Sequence, residues 1–119
     1  MERNPGPDTI AELLVAYRSH ALAWDALGSD ANKANPVFVQ LHSIYKQLRT
    51  EPAGREGITT LMDDDNQAVR LSAAAHSLAW AREKAEKVLT AIESGPGLYA
   101  VSAKYTLKAF REGTLNLDW

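Results

Sequence analysis

Residues 68–80, AVRLSAAAHSLAW, are apolar on almost every side when wound into a helix, and alanine-rich throughout. A helix with that pattern has to be covered around most of its circumference, and its small side chains allow close approach by its neighbours. The stretch is therefore expected to form a helix from about Gln67 to Trp80, at the centre of a molecule built from other helices. The run Asp63-Asp64-Asp65-Asn66 just before it supplies N-cap side chains and negative charge where the helix dipole favours it.

The rest of the chain repeats the three-and-four spacing of amphipathic helices. Ile10, Leu13, Leu14, Tyr17, Ala21 and Trp24 predict a helix over 8–27, with Thr9 and Glu12 as a capping box and Gly28-Ser29-Asp30 as its stop. Asn35-Pro36 predicts the start of a second helix whose apolar face is Val37, Phe38, Leu41, Ile44, Tyr45 and Leu48. Glu51-Pro52 and Gly54 predict its break. A short helix is expected over 55–62, an amphipathic one over 81–93 ending at Ser94-Gly95-Pro96-Gly97, and a last one over 98–111 closed by a left-handed Gly113. No strand pattern occurs.

Length and composition agree with one folded unit. A chain of 119 residues, 45% hydrophobic and 24% charged, can bury a core without metal or disulfide. A single domain is expected over 8–119, with a flexible segment at 1–7. The chain has no cysteine, which removes thiolate catalysis and cysteine-ligated zinc and suits a reducing compartment. The opening residues lack a signal-peptide pattern and no apolar run is long enough to span a bilayer, so the expected address is the cytoplasm and no membrane partner is expected. A net charge of -2 and a pI near 5.9 leave no positive field to gather phosphates, so nucleic acid is not an expected partner.

Val69, Leu71, Ala74 and Leu78 fall over Leu98, Ala100, Ala103 and Leu107 at a shift of 29, and Leu41, Ile44 and Leu48 fall under Leu71, Ala74 and Leu78 at a shift of 30. A repeat of that period points to stacked helical pairs. The segment Leu61-Met62-Asp63-Asp64-Asp65-Asn66-Gln67-Ala68-Val69-Arg70-Leu71-Ser72-Ala73-Ala74 resembles the core of a HEAT repeat, in which an aspartate turn precedes Val-Arg and paired alanines. Over 10–117 the order of elements also resembles a bacterial HEAT-like family described as a domain of unknown function, number two-thousand-nineteen. The resemblance implies an all-α fold, a short right-handed α-solenoid of about three hairpins and about six helices. It implies no catalytic residue. It also places Arg70 where HEAT-like repeats use an arginine to reach the aspartate turn.

The residues that could carry chemistry read better as structure. His20, His42 and His76 lie on three different predicted helices without a ligand partner at helical spacing, so no metal is expected. Asp63, Asp65 and Gln67 imitate the start of a calcium loop, but Ala68 stands where that loop needs glycine and Ala74 where it needs a bidentate glutamate. Glu51 and Glu56 lie in a connection without a shaped cleft, no serine sits on a nucleophile elbow, and no glycine-rich phosphate loop occurs. No cofactor and no enzymatic activity are expected. A helical-repeat surface without chemistry suits protein recognition. The expected function is that of an immunity protein, which neutralises a cognate bacterial toxin by electrostatic complementarity. Its expected contacts are Asp63, Asp64, Trp80 and Trp119, the last because a terminal tryptophan has little chain beyond it to bury it. The alternatives are a nucleic-acid-associated HEAT-like protein, which the scattered lysines oppose, and a small homo-oligomeric scaffold.

Overall fold

The computed structural model describes residues 7–28 and 30–119. Six helices follow one another, α1 (Pro7–Leu27), α2 (Ala31–Leu48), α3 (Pro52–Leu61), α4 (Gln67–Ser77), α5 (Arg82–Glu93) and α6 (Leu98–Glu112), with no strand among the described residues. The fold is all-α. The chain divides into two compact units, one ending at Thr60 and one running Leu61–Trp119. The segment 1–7, expected to be flexible, lies outside the described residues apart from Pro7, the first helical residue.

In the first unit α1 and α2 form a helical hairpin. Tyr17 and Ala21 of α1 are buried, as are Ala34, Leu41, His42, Tyr45 and Leu48 of α2. Trp24 and Phe38 meet across the pair with ring centroids 5.9 Å apart, and His20 Nε2 lies 3.0 Å from the Gln40 side-chain oxygen. The helix starts differ from the expected ones. Because α1 begins at Pro7, Thr9 sits inside its first turn and does not cap it. Helix α2 begins at Ala31, capped by Asp30, whose carboxylate accepts from the Lys33 amide at 3.3 Å, and Pro36 lies inside it. Proline there removes one helical hydrogen bond to the Asn32 carbonyl, while the additional turn buries Ala34.

Helix α3 likewise starts at Pro52, three residues before the expected Arg55, with proline in the first helical position where its missing amide costs nothing. Gly54 is therefore part of the helix and not its boundary. It allows close approach: a Cβ there would stand 2.0 Å from the Leu48 carbonyl oxygen. Arg55 secures the same corner, its Nη1 donating to the Arg49 carbonyl at 2.7 Å.

In the second unit α5 packs against both α4 and α6, and α4 also touches α6. Helix α4 is buried on nearly all sides, through Ala68, Val69, Leu71, Ser72, Ala73, Ala74, His76 and Ser77, as its composition demands. It ends at Ser77, earlier than the expected Trp80. There the chain tightens into a turn, with the Trp80 amide donating to the Ser77 carbonyl three residues back at 3.1 Å. Ala85, Leu89 and Ile92 of α5 and Ala103 and Leu107 of α6 complete the core positions of these helices. Gly113, at φ 76°, is the left-handed cap expected of it, and its amide reaches the Phe110 carbonyl at 3.2 Å.

Candidate functional site

The four residues expected to contact a partner, Asp63, Asp64, Trp80 and Trp119, all belong to the second unit. The aspartates lie in the corner between α3 and α4, which is closely wired. The Asp64 amide donates to the Leu61 carbonyl at 3.2 Å, and the Asn66 amide donates to the Asp64 carboxylate at 2.9 Å. Asn66 is the N-cap of α4, its side-chain oxygen accepting from the Ala68 and Val69 amides at 2.8 and 3.1 Å. Arg70 bends back to the turn, but its Nη1 takes the backbone carbonyls of Asp64 and Asp65 at 2.7 and 2.8 Å. A long side chain with planar donors can reach back and tie two successive carbonyls of a turn to the first turn of a helix.

That wiring separates the aspartates by use. Asp64 is half-buried and its carboxylate holds the turn, whereas Asp63 is exposed and its carboxylate meets Lys84 Nζ of α5 at 2.6 Å. Trp80 is half-buried in the α4–α5 turn, and Trp119 is 48% exposed in the segment after α6. Asp63 and Trp119 are thus the two members of the set with most surface in water.

A shallow, open groove of about 580 Å³ runs along α5, lined by Glu83, Glu86, Lys87, Thr90, Ser94 and Arg111. Its charges are mixed: Glu86 is approached by Arg82 Nε at 3.5 Å and Arg111 Nε at 3.8 Å. Such a surface can bind polar groups but does not exclude water from them, as acid–base chemistry on a substrate would need. Among the described residues no three His, Asp or Glu side chains come together as metal ligands. His42 and His76 are buried in α2 and α4, and His20 is held by the Ala16 carbonyl, 2.7 Å from its Nδ1.

The two sides of α6 are not distinguished by the sequence pattern, which predicts only a helix over 98–111. Ala103 and Leu107 are buried, but Leu98, Val101 and Tyr105 are 81%, 48% and 60% exposed. The spacing carries the signal: 98, 101 and 105 follow i, i+3 and i+7, and that row lies opposite 103 and 107 on a helical projection.

Residues 13–111 match the sequence profile of the domain of unknown function DUF2019. The chain belongs to this family. It is also similar to the crystal structure of the protein RPA1889 from Rhodopseudomonas palustris CGA009, with a TM-score of 0.82 and 27% identity, over 91% of this chain and 93% of that one. No curated protein matches the chain. The DUF2019 match covers α2 to α5 whole, most of α1 and α6 up to Arg111, so the α3–α4 corner and the exposed row of α6 both fall within the family's span.

Proposed function

We propose that this DUF2019 chain is a non-catalytic protein-binding module built from HEAT-like helical hairpins, and that it serves as an immunity protein capping a cognate toxin. The observation that carries the binding reading is the apolar surface kept in water on the second unit: Leu98, Val101, Tyr105 and Trp119 are all exposed. Tyrosine and tryptophan are the usual anchors of a protein interface, and neighbouring apolar side chains help to exclude water around them. Two local features support the HEAT-like part. Arg55 and Arg70 are each the fourth residue of a helix, α3 and α4, and each donates to the carbonyl six residues before it. The aspartate corner that Arg70 closes is the part of the chain that resembles a HEAT repeat.

The immunity reading adds a small acidic chain, of net charge -2, suited to covering a basic active site. It acts by occupying the toxin and needs no chemistry of its own. Within this reading Asp63 is the aspartate available to a partner, since it can exchange Lys84 for a partner's cation, whereas Asp64 is committed to the turn.

The test is co-expression of the chain with the products of its neighbouring reading frames in a host whose growth those products arrest. Growth rescue together with a stoichiometric complex in size-exclusion chromatography is the expected result. Asp63→Lys should weaken that complex at least tenfold without altering the melting temperature. Failure to rescue growth from any neighbouring product overturns the immunity reading.

A further inference from the structure

We infer that the outward face of α6 is a docking surface for an acidic amphipathic helix of a partner protein. The inference rests on the reading of the chain as a protein-binding module and names the surface and the chemistry that fits it. Leu98, Val101 and Tyr105 form an apolar ridge along two turns of α6, at 81%, 48% and 60% exposure, on the side opposite the buried Ala103 and Leu107. A ridge of residues at i, i+3 and i+7 is what one helix presents to another when their side chains interlock.

The chemistry of the occupant follows from the charges beside the ridge. Lys104, Lys108 and Arg111 form a row along one edge, spaced by four and three residues. Neither Lys104 nor Lys108 makes an ion pair with a described residue, and Arg111 has only the 3.8 Å approach to Glu86. An apolar helix laid on the ridge would remove water from these cations, so it must bring carboxylates along its matching edge. Helix α6 itself carries a single acid, Glu112 at its end, so a second copy of this helix would bring more cations than carboxylates. A membrane fits less well, because three apolar side chains on a chain of net charge -2 give little buried area and no overall attraction to anionic lipid.

The experiment is a selection of helical peptides, displayed with a randomised outer face, against the full-length protein at low salt, followed by fluorescence anisotropy on the winners. The expected winners carry apolar residues at i, i+3 or i+4, and i+7, with Asp or Glu one turn apart on one edge. Val101→Asp and the double variant Lys104→Glu/Lys108→Glu should each weaken them at least tenfold. The double variant should gain affinity for the same peptides rewritten with Lys. Because these positions are exposed, unchanged melting curves should accompany the losses, and Val15→Asp, 69% exposed in the first unit, should leave binding unchanged. Winners without acidic bias, or winners unaffected by the α6 variants, overturn the docking surface while leaving the protein-binding reading intact. Binding to phosphatidylglycerol vesicles that is lost in the same variants, or a dimer in native mass spectrometry that Tyr105→Asp dissolves, assigns the face to lipid or to a second copy and likewise overturns it.

Discussion

Arg70 closes the corner between α3 and α4 by donating from one nitrogen, Nη1, to two successive carbonyls, those of Asp64 and Asp65, at 2.7 and 2.8 Å. Hydrogen bonds from a charged donor contribute more than neutral ones, and both carbonyls lie in the turn ahead of α4. Since Arg70 is half-buried, its loss should cost about 1–2 kcal/mol after allowance for water replacing it. Arg70→Ala should therefore lower the melting temperature by several degrees, and Arg70→Lys should recover part of the loss. Asn66→Ala removes the N-cap bonds to Ala68 and Val69 at the same corner and should cost about 1 kcal/mol. A shift under one degree for both alanine variants would show that the corner is not held this way.

Gly54 and Gly57 lie three residues apart on α3 and should respond unequally to alanine. A Cβ on Gly54 would stand 2.0 Å from the Leu48 carbonyl oxygen and 2.7 Å from its carbon, so the end of α2 and the start of α3 would have to separate. Backbone cannot give way as a side chain can, and Gly54→Ala should cost about 3 kcal/mol or more. A Cβ on Gly57 meets the Leu14 side chain, with Cδ1 at 2.3 Å, which can change rotamer. Alanine also recovers about 1 kcal/mol of helix propensity there, so Gly57→Ala should stay within about 1 kcal/mol of the parent. Chemical denaturation of the two variants side by side reads the difference, and equal costs would refute it.

The same glycine shows where local sequence reading stops. Gly54 after Pro52 looks like a helix break, yet it is a close-approach residue, and only the position of the Leu48 carbonyl distinguishes the two. Asn35-Pro36 similarly has the right pattern for a helix start, but Asp30 caps one turn and a half earlier, and burial of Ala34 favours the longer helix despite Pro36. Where the signal was local and redundant, as in Asn66 before α4 or Gly113 after α6, the expected cap and the observed one coincide. Helix number, helix type and the family were legible for that reason.

The candidate surface was less legible, because hydrophobicity does not say which side of a helix finds a partner. Leu98 is the same residue as the buried Leu107, and the exposure of Leu98, Val101 and Tyr105 depends on the direction from which α4 and α5 pack against α6. Asp63 and Asp64 are neighbours of identical chemistry, but the turn uses one carboxylate and leaves the other to Lys84. Spacing on a helix can suggest such divisions; packing decides them.

The Asp63–Lys84 pair should be nearly neutral for stability although its Oδ2–Nζ distance is 2.6 Å. Both side chains are well exposed, at 66% and 42%, so water and salt screen the attraction and ordering the long Lys84 side chain costs entropy. Lys84→Ala and Asp63→Asn should each change stability by less than about 1 kcal/mol, and the double variant should show a coupling below about 0.5 kcal/mol. A double-mutant cycle by urea denaturation at low and high salt measures this. A coupling well above 1 kcal/mol would mean that the pair is structural, and Asp63 would then not be available to a partner.

Tyr17 makes the fold sensitive to alkali. Its side chain is fully buried in α1, and burial, with a smaller contribution from Tyr45, holds its phenol protonated well above the ordinary tyrosine range. The unfolded chain releases that proton near pH 10, whereas the native chain keeps it, so above pH 10 the unfolded state binds fewer protons. Stability from this group is full below about pH 10 and declines as the pH rises from there towards the native-state value, by about 1.4 kcal/mol per pH unit once the unfolded phenol is ionised. Tyr17→Phe removes the ionisable group and should make the fall above pH 10 shallower by that amount, whatever it does to stability at neutral pH. Absorbance near 295 nm should show that the ionisation step missing from Tyr17→Phe occurs in the parent only together with loss of helical circular dichroism. If Tyr17→Phe unfolds in alkali with the same pH slope as the parent, or if all four tyrosines ionise while the helices remain, the buried phenol is not the group that sets the alkaline limit.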